Sequence, residues 1–207
     1  KGVVDKKLDP ALSKERLFEL YEAMRYARLA DEKLLKLQRQ GRVGTFAPSK
    51  GQEAAALGPV FALTDKDWMA VSFRELGALL ARGMPRWRFY IYYKGFEEGN
   101  VYPEAPRTLP ISVPVASQLL HAVGVAYAMR YKGEEDSAAL AFVGDGGTSQ
   151  GDFHEALNFA SVWQVPVVFL VQNNGWAISV PRSKQAHAKT LAQRAVGYDM
   201  PGSQVDG

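Results

Sequence analysis

The sequence has no cysteine. This excludes disulfides, thiolate catalysis and zinc fingers, and it fits an intracellular, cytoplasmic protein. A surplus of one charge sign is also lacking, because 25 Lys and Arg against 22 Asp and Glu leave a formal charge of +3. That balance is too small to argue for nucleic acid or a membrane surface. Long hydrophobic runs are missing too. The apolar stretches are short and broken by Pro or Gly, so no membrane span is expected, and the first residues show no signal-peptide pattern. Three histidines, His121, His154 and His187, fall into no metal or triad spacing and read as structural or substrate-proximal. No internal repeat is evident.

What is present describes an ordinary globular chain. A length of 207 residues with 47% hydrophobic composition supports one domain with a sizeable core, in which residues 1–48 form a helical amino-terminal extension. Asp9-Pro10 is a helix start signal, and Leu17, Leu20, Tyr21 and Met24 mark one face of a helix from about Ser13 to Gln40, stopped by Gly41. Ser49 and Gln52 are spaced as a capping box for a helix through about Leu63. Trp68 to Ser72 reads as a short strand that delivers Phe73-Arg74 to its carboxyl end, before a helix ending near Gly83. The interleaved aromatic and basic residues of Trp87 to Lys94 suit packing better than a nucleic-acid platform. Gly95 to Pro114, with Pro103, Pro106, Pro110 and Pro114, reads as a long irregular loop covering a site. Ala116 to Tyr131 returns to helical spacing, with Leu120, Val123 and Tyr127 on one side.

The stretch from Ser137 to Ser179 organises the rest. An apolar run, Ala138 to Val143, turns abruptly into Gly144-Asp145-Gly146-Gly147 and reads as a buried strand. Phe153, Ala156, Leu157 and Ala160 then form one helical stripe, with Ser149 and Asp152 resembling a capping pair. A second apolar run, Val165 to Val171, stops at Gln172-Asn173-Asn174-Gly175. Strand, helix and strand make a βαβ unit with parallel strands, so the fold class is α/β, a parallel sheet flanked by helices. Asp145 and Asn174 then sit just past two parallel strand ends, where open α/β sheets bind ligands. One carboxylate and one amide oxygen, with a backbone carbonyl, make a sparse shell suited to magnesium completed by phosphate and water. Glycines beside Asp145 permit close approach of the backbone, and the helix start favours an anion.

Plainer readings accompany each residue. Asp145 fits a cap and Asn173-Asn174-Gly175 a turn. Arg74 fits a surface ion pair, Glu53 helix solubility or packing, and Trp163 and Trp176 packing.

GDGGTSQGDFHEALNFASVWQVPVVFLVQNN resembles the thiamine-diphosphate motif, and in detail the alpha subunit of the decarboxylating component of the 2-oxoacid dehydrogenase complexes, bacterial pyruvate dehydrogenase type. RQGRVGTFAPSKGQEAA, FRELGALLARG and QAHAKTLAQRAVGYDMPGSQVDG agree in order, so the resemblance covers nearly the whole chain. It implies thiamine diphosphate and Mg2+ as cofactors. Asp145 and Asn174 are then metal ligands through their side chains, and Trp176 through its backbone carbonyl. Gly146 and Gly147 lie against the diphosphate, Arg74 binds it, and Phe73 stands where the family has Tyr, removing one phosphate hydrogen bond. Val113 and Val115 face the aminopyrimidine.

The implied partners are a beta subunit in an alpha2-beta2 heterotetramer, which supplies the activating glutamate, a lipoyl acyltransferase core and a 2-oxoacid substrate. Pyruvate comes first, with branched-chain 2-oxoacids or acetoin behind it. The family continues well beyond Gly207 with a loop whose histidine reaches the diphosphate, so the chain is expected to be a fragment, truncated at the carboxyl end, or a split subunit. A catalytic residue within this chain is not assigned. Two rivals remain. A Rossmann-type NAD enzyme is disfavoured by Ser149 at the third glycine position and by Asp145 facing a pyrophosphate without a cation. A non-catalytic assembly subunit would keep the interface helices and lose the cofactor.

Overall fold

The computed structural model describes residues 7, 9–103, 105 and 107–205. Residues 1–6 and Leu8 of the extension, Glu104 and Pro106 of the proline-rich loop and the closing Asp206-Gly207 lie outside them. The elements run α1 (Lys14–Arg39), α2 (Glu53–Val60), β1 (Trp68–Ala70), α3 (Leu76–Ala81), α4 (Arg86–Tyr93), α5 (Ser117–Tyr131), β2 (Ala139–Gly144), α6 (Gly151–Trp163), β3 (Val167–Gln172), β4 (Trp176–Ala177), β5 (Val180–Pro181) and α7 (Arg182–Gln185). Short 3-10 turns occupy Glu97–Asn100, Asp145–Ser149 and Leu191–Tyr198.

Strands β1, β2 and β3 form a parallel sheet in that order, with Ala70 opposite Ala141 and Gly144 opposite Gln172. Their carboxyl ends therefore share one edge. An isolated parallel bridge between Met69 and Thr108 draws the proline-rich loop alongside β1. The central strand shows why the sequence folds this way. Leu140 and Phe142 point into a core layer with Leu34 of α1, Leu76 and Leu79 of α3 and Phe89 of α4. Ala139, Ala141 and Val143 point the other way, onto Leu119 and Val123 of α5 and Phe153 and Leu157 of α6. A strand buried on both faces has to be apolar at every position, and the run from Ala138 to Val143 is.

The long amino-terminal helix is capped by Ser13, whose side chain accepts the Arg16 N–H at 3.2 Å. The stripe Phe153, Ala156, Leu157 and Ala160 is the buried face of α6. Several sequence expectations are corrected. Ser49 does not cap α2; its N–H and hydroxyl both donate to the buried Asp31 Oδ1, at 2.8 and 3.0 Å, and Gln52 holds the cap position without a side-chain bond. Helix α2 ends at Val60, just after Pro59, and the chain tightens into i−3 bonds at Ala62 and Leu63. Residue Ser149 likewise does not cap α6, where Gln150 occupies the cap without a side-chain bond. Helix α5 buries Gln118, Leu119, Ala122, Val123, Ala126 and Met129, so Val123 is core while Tyr127 is exposed. The aromatic segment Trp87 to Lys94 is largely helix α4, with Phe89, Tyr92 and Tyr93 packed into the first core layer.

Candidate functional site

The site is built on the carboxyl edge of the sheet. Asp145 leaves β2 into the turn Asp145–Ser149, which the Thr148 hydroxyl closes by donating to the Asp145 carbonyl at 2.7 Å. The Asp145 side chain is only 2% exposed, and among the described residues its Oδ2 has no hydrogen-bond partner. Burial pushes this carboxyl above its ordinary range, while backbone N–H groups of the turn and the positive charge of Arg182 pull it down. A buried carboxylate oxygen without a donor invites a cation.

The backbone around it is tightly enclosed. A Cβ on Gly147 would overlap Val143 Cγ2 and stand 3.4 Å from Val115 Cγ1. A Cβ on Gly146 would lie 2.8 Å from the Ala177 Cβ. The glycines therefore permit the turn to nest between the end of β2, the Val113–Val115 segment and β4, and no larger residue fits there. Ala116, next in the chain, takes a left-handed φ of 74° as it enters α5.

Asn174 lies beyond β3 on the same edge. It is exposed, and its Oδ1 accepts the Trp176 N–H at 3.0 Å, which shapes the turn at Gly175, whose φ is +84°. The Trp176 side chain is 58% exposed, so the expectation that it packs is corrected; its backbone pairs with Pro181 in the β4–β5 hairpin. The Val113 side chain is exposed, whereas Val115 reaches the glycine turn. Phe73-Arg74 emerges from β1 on the shared edge. The Arg74 Nη1 donates to the Pro48 carbonyl, and its guanidinium lies 5.9 Å from the Phe73 ring. The Tyr93 hydroxyl donates to the Phe73 carbonyl at 3.1 Å.

The structure thus gathers Asp145, Gly146, Gly147, Val115 and the Trp176 segment, and places Asn174 and Phe73-Arg74 at neighbouring strand ends. Among the described residues no group of three or more His, Cys, Asp or Glu is placed to hold a metal. A cation here would rest on one carboxylate, amide or carbonyl oxygens, and oxygens brought by its ligand.

Some residues at this edge carry no sequence signal. Glu75 is 3% exposed and accepts the Arg74 N–H at 3.2 Å; burial pushes its carboxyl up to about 7. Gln185 Nε2 donates to the Asp145 carbonyl at 3.1 Å and to Ser149 Oγ at 3.2 Å. Arg194 donates to the Thr148 carbonyl, and His154 Nδ1 meets the Tyr198 hydroxyl at 2.7 Å. None of these belongs to a short motif. Gln185, Arg194 and Tyr198 are brought in by the chain folding back after β5, whereas Glu75 follows β1 and His154 sits on α6, and only their position in a longer matched segment hints at proximity.

A sequence model of the family described as "Dehydrogenase E1 component" matches residues 21–207. The chain belongs to the dehydrogenase E1 component family. This E1 chain is 41% identical over 206 residues to the pyruvate dehydrogenase E1 component subunit alpha of Staphylococcus aureus strain Mu50, covering 100% of the chain and 55% of that relative. It is 40% identical, with the same coverage, to the protein of that name from Staphylococcus epidermidis strain RP62A. The E1 chain therefore spans about half the length of the curated relatives it matches. Among its described residues no helix is long and apolar enough to cross a membrane.

Proposed function

We propose that this chain is the alpha subunit of a 2-oxoacid dehydrogenase complex, of pyruvate type, holding the diphosphate and magnesium half of a thiamine diphosphate site shared with a beta subunit. The observation that carries the reading is the buried, unpartnered Oδ2 of Asp145 within the Gly144-Asp145-Gly146-Gly147 turn, at the carboxyl edge of a parallel sheet. The family membership and the names of the relatives support pyruvate ahead of branched-chain 2-oxoacids or acetoin.

When bound, thiamine diphosphate supplies the carbanion chemistry that decarboxylates the 2-oxoacid before its acyl group passes to a lipoyl group on the acyltransferase core. The chain's own residues do simpler work. Asp145, Asn174 and the Trp176 carbonyl would hold Mg2+, which would supply positive charge to offset the diphosphate. Gly146 and Gly147 let the turn backbone approach phosphate oxygens, and Arg74 exchanges its Pro48 carbonyl contact for phosphate. The segment with Val113 and Val115 faces the aminopyrimidine, while the beta subunit brings the glutamate that activates it.

Calorimetry on the full-length chain assembled with its beta subunit tests this. Thiamine diphosphate is expected to bind only when Mg2+ is present, and the loaded complex to oxidise pyruvate in preference to branched-chain 2-oxoacids. Binding of NAD instead, or no cofactor binding at all, would overturn the proposal; the second result would favour an assembly role.

A further inference from the structure

Five buried side-chain polar atoms lack a hydrogen-bond partner among the described residues, and three of them, Asp145 Oδ2, Arg182 Nε and Gln185 Oε1, belong to the turn and the helix α7 that packs on it. Isolated orphans occur in folded proteins, but each is costly, so three on one pair of packed elements call for a ligand that satisfies them together. The set is chemically mixed, with two acceptors and one cationic donor. It matches a metal-bound phosphate, whose cation or coordinated water meets the acceptors while a phosphate oxygen takes the donor.

Both new side chains are held in place by their other atoms. The Asp145 carbonyl can only accept, so the Gln185 amide nitrogen must face it, at 3.1 Å, and Oε1 is turned away from that contact. Arg182 Nη2 donates to the Ala188 and Lys189 carbonyls at 2.8 and 3.2 Å, and the Arg182 backbone N–H donates to the Gly175 carbonyl at 2.9 Å. The guanidinium is thus fixed from one end of its fork with Nε–H unpaired. Its charge is felt at Asp145. A simple internal ion pair on those atoms does not explain the arrangement, because Asp145 Oδ2 and Arg182 Nε are each left without a partner.

We propose that Arg182 is a diphosphate ligand of this chain, donating from Nε to a phosphate oxygen held beside Asp145. The inference rests on the thiamine diphosphate reading above and extends it to a residue on the β5–α7 junction, beyond Asn174. A magnesium-bound diphosphate keeps net negative charge, so a cationic donor at this spot strengthens phosphate binding without competing for the metal.

The test is calorimetry on the full-length chain with its beta subunit, titrating thiamine diphosphate and, separately, inorganic pyrophosphate, each with Mg2+. The Arg182→Met variant is expected to bind both ligands about tenfold more weakly, the loss of one charge-assisted hydrogen bond. Arg182→Lys offers an ammonium to the Ala188 and Lys189 carbonyls but lacks Nε–H; it is expected to retain the wild-type melting temperature without cofactor and still to bind pyrophosphate more weakly. Wild-type affinity for pyrophosphate in both variants would overturn the role of Arg182, as would a loss confined to thiamine diphosphate. Failure of the wild-type protein to bind either ligand would instead bring down the cofactor reading on which the inference stands.

Discussion

At the scale of single residues, the two buried carboxylates on the sheet edge have opposite uses. Asp145 is buried with Oδ2 unpartnered among the described residues, a cost that the turn N–H groups and Arg182 offset only in part. Asp145→Asn is therefore expected to raise the stability of the cofactor-free protein by about 1 kcal/mol, by removing an incompletely compensated buried charge, while abolishing Mg2+-dependent cofactor binding. Chemical denaturation and calorimetry on the same variant check both halves, and a variant that binds normally would remove Asp145 from the metal site. Glu75 has no such partner to gain. Its carboxyl is raised from 4.5 to about 7 by burial, so between these values the folded protein holds a proton that the unfolded chain has released. Stability from this group is complete below pH 4.5, falls as pH rises and is gone above about 7, a change on the order of 3 kcal/mol. Glu75→Gln keeps an acceptor for the Arg74 N–H, and it should flatten the pH dependence of unfolding across that window and stabilise the protein at pH 8. Arg74 and Tyr93 are the other ionisable groups close enough to feel this carboxylate.

At the scale of elements, α1 and α2 are joined by a partly buried ion pair. Arg28 Nη2 donates to Glu53 Oε2 at 2.7 Å, Arg28 Nε meets Glu53 Oε1, and the Gly51 N–H adds a bond to Oε2 at 3.0 Å. Glu53 is 6% exposed, and the Arg28 bond holds its carboxyl below the usual range. Arg28→Met should destabilise the protein by stranding that carboxylate, whereas the double variant with Glu53→Gln should recover part of the loss. A double-mutant cycle by urea denaturation measures the coupling.

The same region shows what could be read from the sequence. Where a pattern depends on local backbone geometry, the sequence carried it: the extent of α1, the α6 stripe, the fully apolar β2 and the parallel βαβ unit that brings Asp145 and Asn174 to one edge, although α1 starts from a Ser13 cap and not at Asp9-Pro10. It failed where a polar side chain had a better distant partner. Ser49 has the spacing of a cap but bonds Asp31 on α1, and Ser149 has the same spacing but accepts from Gln185. Arg182, Gln185 and Glu75 were invisible for the same reason, since their roles come from contacts that the fold creates and no spacing announces. Tyr127 misled because its ring packs at a tilt against exposed Trp163, with centroids 5.0 Å apart, rather than entering the core.

At the scale of the whole molecule, the sheet is asymmetric. Strand β2 is sealed by helices on both faces and by strands on both sides, whereas β3 ends the described sheet with Val168 55% exposed on the α1-side face. A flat apolar strand with a free row of peptide N–H and C=O groups is a template for any other extended chain. For this 207-residue polypeptide the practical result is colloidal: at high concentration it should grow oligomers by strand addition, with a rate that rises steeply with protein concentration. Val168→Lys places a charge on that strand, and light scattering over time should show slower growth with unchanged helix content by circular dichroism. If growth is equally fast, the sticky surface lies elsewhere. The strand that helps aim Asn174 at a ligand is then also what limits how long the isolated polypeptide stays in solution.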